Sequence, residues 1–113
     1  MRWFLRSKIH NATVTDSNVE YIGSIGIDEE LVDRAGLMGG EKVLVVDNTN
    51  GARVETYVIL EEKGSGAMRI NGAAAHLMKS GDRIIVMGFE LADEPVEVKN
   101  VLVDERNRFM RYL

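Results

Sequence analysis

The bond with the most chemical potential in this 113-residue chain is Gly23-Ser24, within Tyr21-Ile22-Gly23-Ser24-Ile25-Gly26-Ile27-Asp28. A serine hydroxyl placed against the preceding carbonyl can turn that amide into an ester, which then breaks by elimination. Hydrolysis of what remains frees the chain at Gly23 and leaves Ser24 as a pyruvoyl group, a reactive carbonyl made from the chain itself. Glycine at 23 opens backbone angles closed to other residues, so a strained bond could be held there. A bulge or tight turn before a helix would need the same glycine. A second pair, Gly64-Ser65, falls in a polar loop, so the dipeptide alone signals little. The apolar flanks set the first copy apart.

Other chemistries have weaker support. The absence of cysteine excludes disulfides, thiolate metal sites and a cysteine nucleophile. His10 and His76 are the only histidines and neither belongs to a cluster with metal-ligand spacing, so no metal is expected. There is no Gly-x-Ser-x-Gly elbow, and Gly39-Gly40 and Gly64-Ser65-Gly66 lack the lysine and spacing of a phosphate loop. Asn71-Gly72-Ala73-Ala74-Ala75 offers small residues at a helix start, suited equally to an anion or to close packing. Lys8, Arg53 and Tyr57 read by pattern as solvated strand-face residues.

These residues need a frame. The length suits one domain with a single core. A formal net charge of −4 argues against nucleic acid as the main partner. No apolar run approaches the roughly 20 residues of a membrane helix, and the start is too short for a signal peptide, so a cytoplasmic location is expected. Met1–His10 reads as a strand with Trp3, Leu5 and Ile9 facing the core, and residues 11–15 as a second short strand. Asp16-Ser17-Asn18 is a turn by composition, and Val19–Ile22 is a strand leading into Gly23-Ser24.

Asp28 reads as the N-cap of a two-turn helix, with Glu29 and Glu30 suiting the dipole and Gly36 ending it. Lys42–Val46 has no polar face and is expected to be buried on both sides. Asn50-Gly51 marks a hairpin of the type I′ kind. Ala52–Leu60 returns with Val54, Thr56, Val58 and Leu60 on one side and Arg53, Glu55, Tyr57 and Ile59 on the other. A short helix capped by Asn71, a strand over Arg83–Leu91 and a last strand over Val96–Val103 follow. The segment 106–113 has no assignable element. Gly40-Glu41-Lys42-Val43-Leu44-Val45-Val46 echoes Gly81-Asp82-Arg83-Ile84-Ile85-Val86-Met87, which implies two similar halves about a pseudo-twofold axis and a small β-barrel.

Taken in order, several motifs resemble the pyruvoyl-dependent aspartate α-decarboxylase family, whose members make β-alanine for pantothenate and coenzyme A. They are Lys8-Ile9-His10; Tyr21-x-Gly23-Ser24-x-x-Ile27-Asp28; Asn50-Gly51-x-Arg53-x-x-Thr56-Tyr57; and Ile70-Asn71-Gly72-Ala73-Ala74-Ala75-His76 with Gly81-Asp82 beyond. The resemblance implies a mainly β fold, a six-stranded double-psi β-barrel with short helices. It implies autocatalytic cleavage of a zymogen into a β chain (1–23) and an α chain (24–113), and a homotetramer with active sites between subunits.

By the same resemblance, Ser24 becomes the pyruvoyl cofactor that forms a Schiff base with L-aspartate, and Tyr57 donates the proton. Thr56 assists processing and lies near the cofactor. Lys8 and Arg53 hold the two carboxylates, Asn71, Gly72, Ala73 and Ala74 line the substrate, and His10 and Tyr21 support the site. Ile25 departs from the cysteine common after the serine in this family, and the chain beyond Val103 matches nothing familiar. Two other readings share these residues: an unprocessed, non-catalytic barrel, and a pyruvoyl decarboxylase of another acidic amino acid such as glutamate. A glutamate substrate would need the cations about one methylene farther apart, a difference of roughly 1–3 kcal/mol.

Overall fold

The computed structural model describes residues 1–113. Its strands are β1 (Arg2–Thr13), β2 (Asp16–Asn18), β3 (Ser24–Asp28), β4 (Lys42–Asp47), β5 (Arg53–Glu61), β6 (Met68–Asn71), β7 (Arg83–Ala92), β8 (Lys99–Val103) and β9 (Phe109–Tyr112), with one helix, α1 (Glu29–Ala35), and a 3₁₀ turn at Gly72–His76. They form one sheet in the order β2-β6-β3-β5-β4-β7-β1-β8-β9. The fold is mainly β, as expected. Six strands from β6 to β1 make the central run, and the chain leaving β1 closes it into a barrel. Thr15 N–H donates to the Met68 carbonyl at 2.9 Å, and β2 then runs parallel to β6.

The repeated heptapeptide is the centre of this arrangement. Its two copies, β4 and β7, pair antiparallel with Leu44 opposite Met87, Val45 opposite Val86 and Val46 opposite Ile85, so Val45 meets its equivalent Val86 on a local twofold axis that exchanges the two flanking pairs. The symmetry extends outward. Gly40 N–H donates to Val58 O and Val58 N–H to Glu41 O, while Gly81 N–H donates to Val14 O and Val14 N–H to Asp82 O. Gly40 and Gly81 both hold positive φ, 85° and 92°, where other residues are strained.

The core is a cluster of 20 buried apolar residues, among them Ile9, Ile25, Ile27, Val45, Val58, Met68, Ile70, Ile84 and Val86. Two bulges in β1 decide which of its side chains join. The register with β7 slips between Leu5 and Ser7 and again between Ile9 and Ala12, and each extra residue reverses the inside-outside alternation. Ser7, Ile9 and Ala12 therefore point inward, while Trp3, expected in the core, is 67% exposed. Of the second strand expected over 11–15, residues 11–13 are instead the end of β1.

Other local expectations yield to pairing. Asp16–Asn18 is a strand, because β6 supplies partners that composition does not reveal. Val19–Ile22 is an exposed loop, with Ile22 72% exposed, and the strand begins only at Ser24. β4 alternates, Val43, Val45 and Asp47 inward and Leu44 and Val46 half-buried. The β4–β5 turn closes with Gly51 N–H on the Asp47 carbonyl at 2.8 Å. Only Gly51 in it has positive φ, so it is longer than the two-residue type I′ turn. Leu60 is exposed at the end of β5, although Val58 on the same side is buried.

Helix α1 matches its sequence signals. Asp28 accepts from Glu30 N–H at 2.9 Å, and Gly36 ends the helix at φ 72°. The same carboxylate also accepts from Gly64 and Gly66 N–H, each at 2.9 Å, tying α1 to the loop before β6. No helix is long and apolar enough to cross a membrane. The last strand is shorter than the sequence suggests: β8 begins only at Lys99.

The unassigned tail is an ordered clasp. Asn107 is buried, accepts from Thr13 N–H, and donates to the Thr13 and Gly66 carbonyls, each at 2.8 Å. The Arg34 guanidinium lies 4.0 Å from the centre of the Phe109 ring.

Candidate active site

Ser24 opens β3, directly opposite Asn71 at the end of β6. Its side chain is almost wholly buried, 2% exposed. Its hydroxyl donates to the Ile22 carbonyl at 3.0 Å and accepts from the Asn71 amide at 3.1 Å. The bond to Ile22 fixes the hydroxyl within the turn that also contains the Gly23 carbonyl. Asn71 does not cap the following 3₁₀ turn with its side chain, as its position in the sequence suggests. Its amide is spent on Ser24, a contact that no spacing in the chain announces.

Gly72 presses against the same turn. It sits at φ +79°, and a Cβ there would lie 2.5 Å from Gly23 Cα, 2.9 Å from Gly23 N and 3.3 Å from the Tyr21 carbonyl oxygen. Backbone therefore packs on backbone at the bond between Gly23 and Ser24. Only glycine permits so close an approach in the left-handed region. Gly23 itself is open on its outer side.

Thr56 and Tyr57 come from the strand on the other side. β3 runs parallel to β5 with Ile25 level with Val58; carried back along the strands, this register sets Gly23 level with Thr56 and Ser24 with Tyr57. Tyr57 shares the outer face of the sheet with Glu55 and Arg53. On that face Lys42 is paired with Glu55 at 3.0 Å, while Lys8 and Arg53 have no ionic partner within reach. Two free cations suit a dicarboxylate.

Lys8 and His10, on β1, are not brought to Ser24 within one chain. β1 is not a neighbour of β3 in the sheet, and the Ser24 hydroxyl is taken by Ile22 and Asn71. His10 Nδ1 is buried without a hydrogen-bond partner. Tyr21 stands exposed on the loop before the serine, while Ala73 is exposed and Ala74 half-buried beside it. A depression of about 500 Å³ on the outer face, lined by Trp3, Lys42, Leu44, Glu55 and Phe89 among others, does not include Ser24.

The residues gathered around Ser24 fit a pyruvoyl group. The serine is buried, its oxygen is already held by an amide donor, and backbone rather than a side chain of residue 72 packs on Gly23.

Comparison with known proteins gives the family. The profile of a family described as aspartate decarboxylase matches residues 1–110. The chain is 50% identical over 110 residues to an aspartate 1-decarboxylase of Acetivibrio thermocellus, covering 94% of this chain and 87% of that one. It is 48% identical over 108 residues to one from a Thermotoga species, covering 96% and 95%. With one from Bacillus cereus it shares 45% identity over 116 residues, covering 99% and 91%. Since the profile spans every strand that builds the Ser24 turn and the relatives are 45–50% identical over nearly the whole chain, the chain belongs to the aspartate decarboxylase family.

Proposed function

We propose that this chain cuts itself between Gly23 and Ser24 and uses the resulting pyruvoyl group to decarboxylate L-aspartate to β-alanine and CO₂, in the cytoplasm, feeding pantothenate and coenzyme A synthesis. The observation that carries this reading is the Ser24 hydroxyl, buried and held between the Ile22 carbonyl and the Asn71 amide at a turn packed by Gly72. The substrate and the carboxylate removed follow the name shared by the relatives, aspartate 1-decarboxylase.

In cleavage, the Ser24 oxygen attacks the Gly23 carbonyl and the amide nitrogen takes up a proton, giving an ester. Elimination releases Gly23 as a carboxylate and leaves a dehydroalanine, from which water displaces ammonia. Thr56, level with Gly23, is placed to polarise the carbonyl under attack. The products are a β chain of residues 1–23 and an α chain of residues 24–113, still one barrel domain.

The pyruvoyl group supplies an electrophilic carbonyl that can hold the substrate amine and accept the electrons left when CO₂ departs, which no standard side chain offers. Arg53 takes one carboxylate of aspartate through its planar fork, and Lys8 takes the other. The backbone of Gly72, Ala73 and Ala74, beside Asn71, lines the substrate. Tyr57 donates a proton to the carbon that has lost CO₂. Tyr21 supports the turn before Ser24, and His10 supports the site from the same strand as Lys8.

Lys8, on β1, is not on a strand paired with β3 in its own chain. In the proposed assembly, a homotetramer with active sites between subunits, Lys8 reaches the site of a neighbouring copy. A denaturing mass spectrum tests the cleavage: two chains divided between residues 23 and 24, the longer trapped by borohydride in the presence of aspartate, are expected. Ser24→Ala should remain folded, uncleaved and inactive. A parent chain that stays intact after heating or long incubation would instead make this a non-catalytic barrel. A product panel over aspartate and glutamate decides the substrate.

A further inference from the structure

Two carboxyl groups outside this site meet where the β4–β5 turn touches the turn before β7. Asp47 is fully buried, 0% exposed. Its Oδ1 accepts from Thr49 N–H at 2.7 Å, but its Oδ2 is buried with no donor. Asp47 stands opposite Ile84 in the β4–β7 pairing, so Asp82, two residues earlier on the same face, is its diagonal neighbour across the strands, and the Asp82 Oδ2 accepts from Lys79 N–H at 3.0 Å. The two turns are laced together nearby. Asn48 N–H donates to the Arg83 carbonyl at 2.8 Å, and the Asn50 amide donates to the Leu77 carbonyl at 2.6 Å.

Two ionised carboxylates set side by side across a strand pair repel, and a buried oxygen without a donor is costly. One proton between them removes both penalties. We propose that Asp47 and Asp82 share a single proton, and that this carboxyl–carboxylate bond joins the turn leading into Arg53 to the segment leading out of Gly72–Ala74. Asp47 is then a positioning residue for substrate binding, a consequence that rests on the roles proposed above for Arg53 and Gly72–Ala74. The joint is direct on the Arg53 side. Asp47 N–H donates to the Ala52 carbonyl, and Gly51 N–H to the Asp47 carbonyl, both at 2.8 Å. Arg53 is the next residue.

The pH dependence follows from the environment. Burial, and then the bond to Asp82, holds the Asp47 carboxyl above its ordinary value, while the bond from Asp47, and then that from Lys79 N–H, holds Asp82 below its own. Lys79 is the charged group that adds attraction at Asp82; its ammonium also donates to the Ala75 carbonyl at 2.8 Å. Arg83, next in the chain, is exposed. The one-proton state therefore persists between the lowered Asp82 value and the raised Asp47 value. Stability from the Asp47 proton is lost as pH rises through the raised value; that from ionised Asp82 is lost as pH falls through the lowered one.

Asp47→Asn tests this, because its amide places a permanent N–H donor where the proton sits. Thermal unfolding of the full chain would be followed from about pH 4 to about pH 9, beyond the ordinary carboxylate range on the alkaline side. The parent should lose stability as Asp47 ionises, whereas Asp47→Asn should lack that decline and melt higher at alkaline pH. Asp82→Asn should remove the decline from the other side. Over the same interval the parent KM for aspartate should rise several-fold relative to that of Asp47→Asn, with the kcat ratio unchanged. Identical melting profiles, or an Asp47→Asn chain less stable at every pH, would overturn the shared proton. A constant KM ratio despite the expected melting would overturn the positioning role. If no chain decarboxylates aspartate, the proposed function fails, and the melting profiles still decide the pair.

Discussion

Replacing Gly72 with alanine adds one methyl group at the tightest point of the site. At φ +79°, any residue with a Cβ incurs about 1–2 kcal/mol of backbone strain. The methyl also meets Gly23 Cα at 2.5 Å, where carbon atoms rest at about 3.5 Å or more. Both surfaces are backbone, so no side chain can rotate away, and the two segments must part by about 1 Å. A displacement of that size at reacting atoms costs on the order of 100-fold in rate, about 2.7 kcal/mol of activation free energy. Because Gly23 bears the carbonyl under attack, self-cleavage should slow by that factor while the barrel still folds. The assay is a time course from freshly purified protein, with the fraction of 24–113 chain read by denaturing mass spectrometry. Gly51→Ala is the control: its φ is +78°, but nothing lies within 4 Å of the added Cβ. Cleavage of Gly72→Ala at the parent rate, or equal slowing in Gly51→Ala, would refute the contact argument.

Tyr57→Phe should cleave normally yet lose about 10²- to 10⁴-fold in β-alanine formation, measured on fully processed protein; loss of cleavage instead would place Tyr57 in maturation. Asn107→Ala removes three hydrogen bonds of 2.8 Å from a buried clasp and should cost about 3 kcal/mol at roughly 1 kcal/mol each. Urea unfolding would show this as a lower midpoint, with cleavage at Ser24 unaffected. An unchanged midpoint would mean that the tail does not clasp the barrel.

What the sequence alone determined was set by neighbours along the chain. Asp28 caps α1 and Gly36 ends it because capping acts within one helical turn. Arg53, Glu55 and Tyr57 share a face because side chains alternate along an unbulged strand. The ordered motifs identified the family, and with it the candidate site, although Lys8, Arg53 and Tyr57 looked like ordinary surface residues by pattern. Tertiary structure decided whatever depends on a distant partner. Trp3 faces out because a bulge opposite β7 reverses the alternation of β1, and Asp16–Asn18 is extended because β6 lies beside it. Asn71 turns to Ser24 across a strand pair, and Asn107 bonds Thr13 from the far end of the chain. Local rules act over a few residues through caps and alternation, whereas bulges, register and buried polar contacts exist only once non-local strands have met.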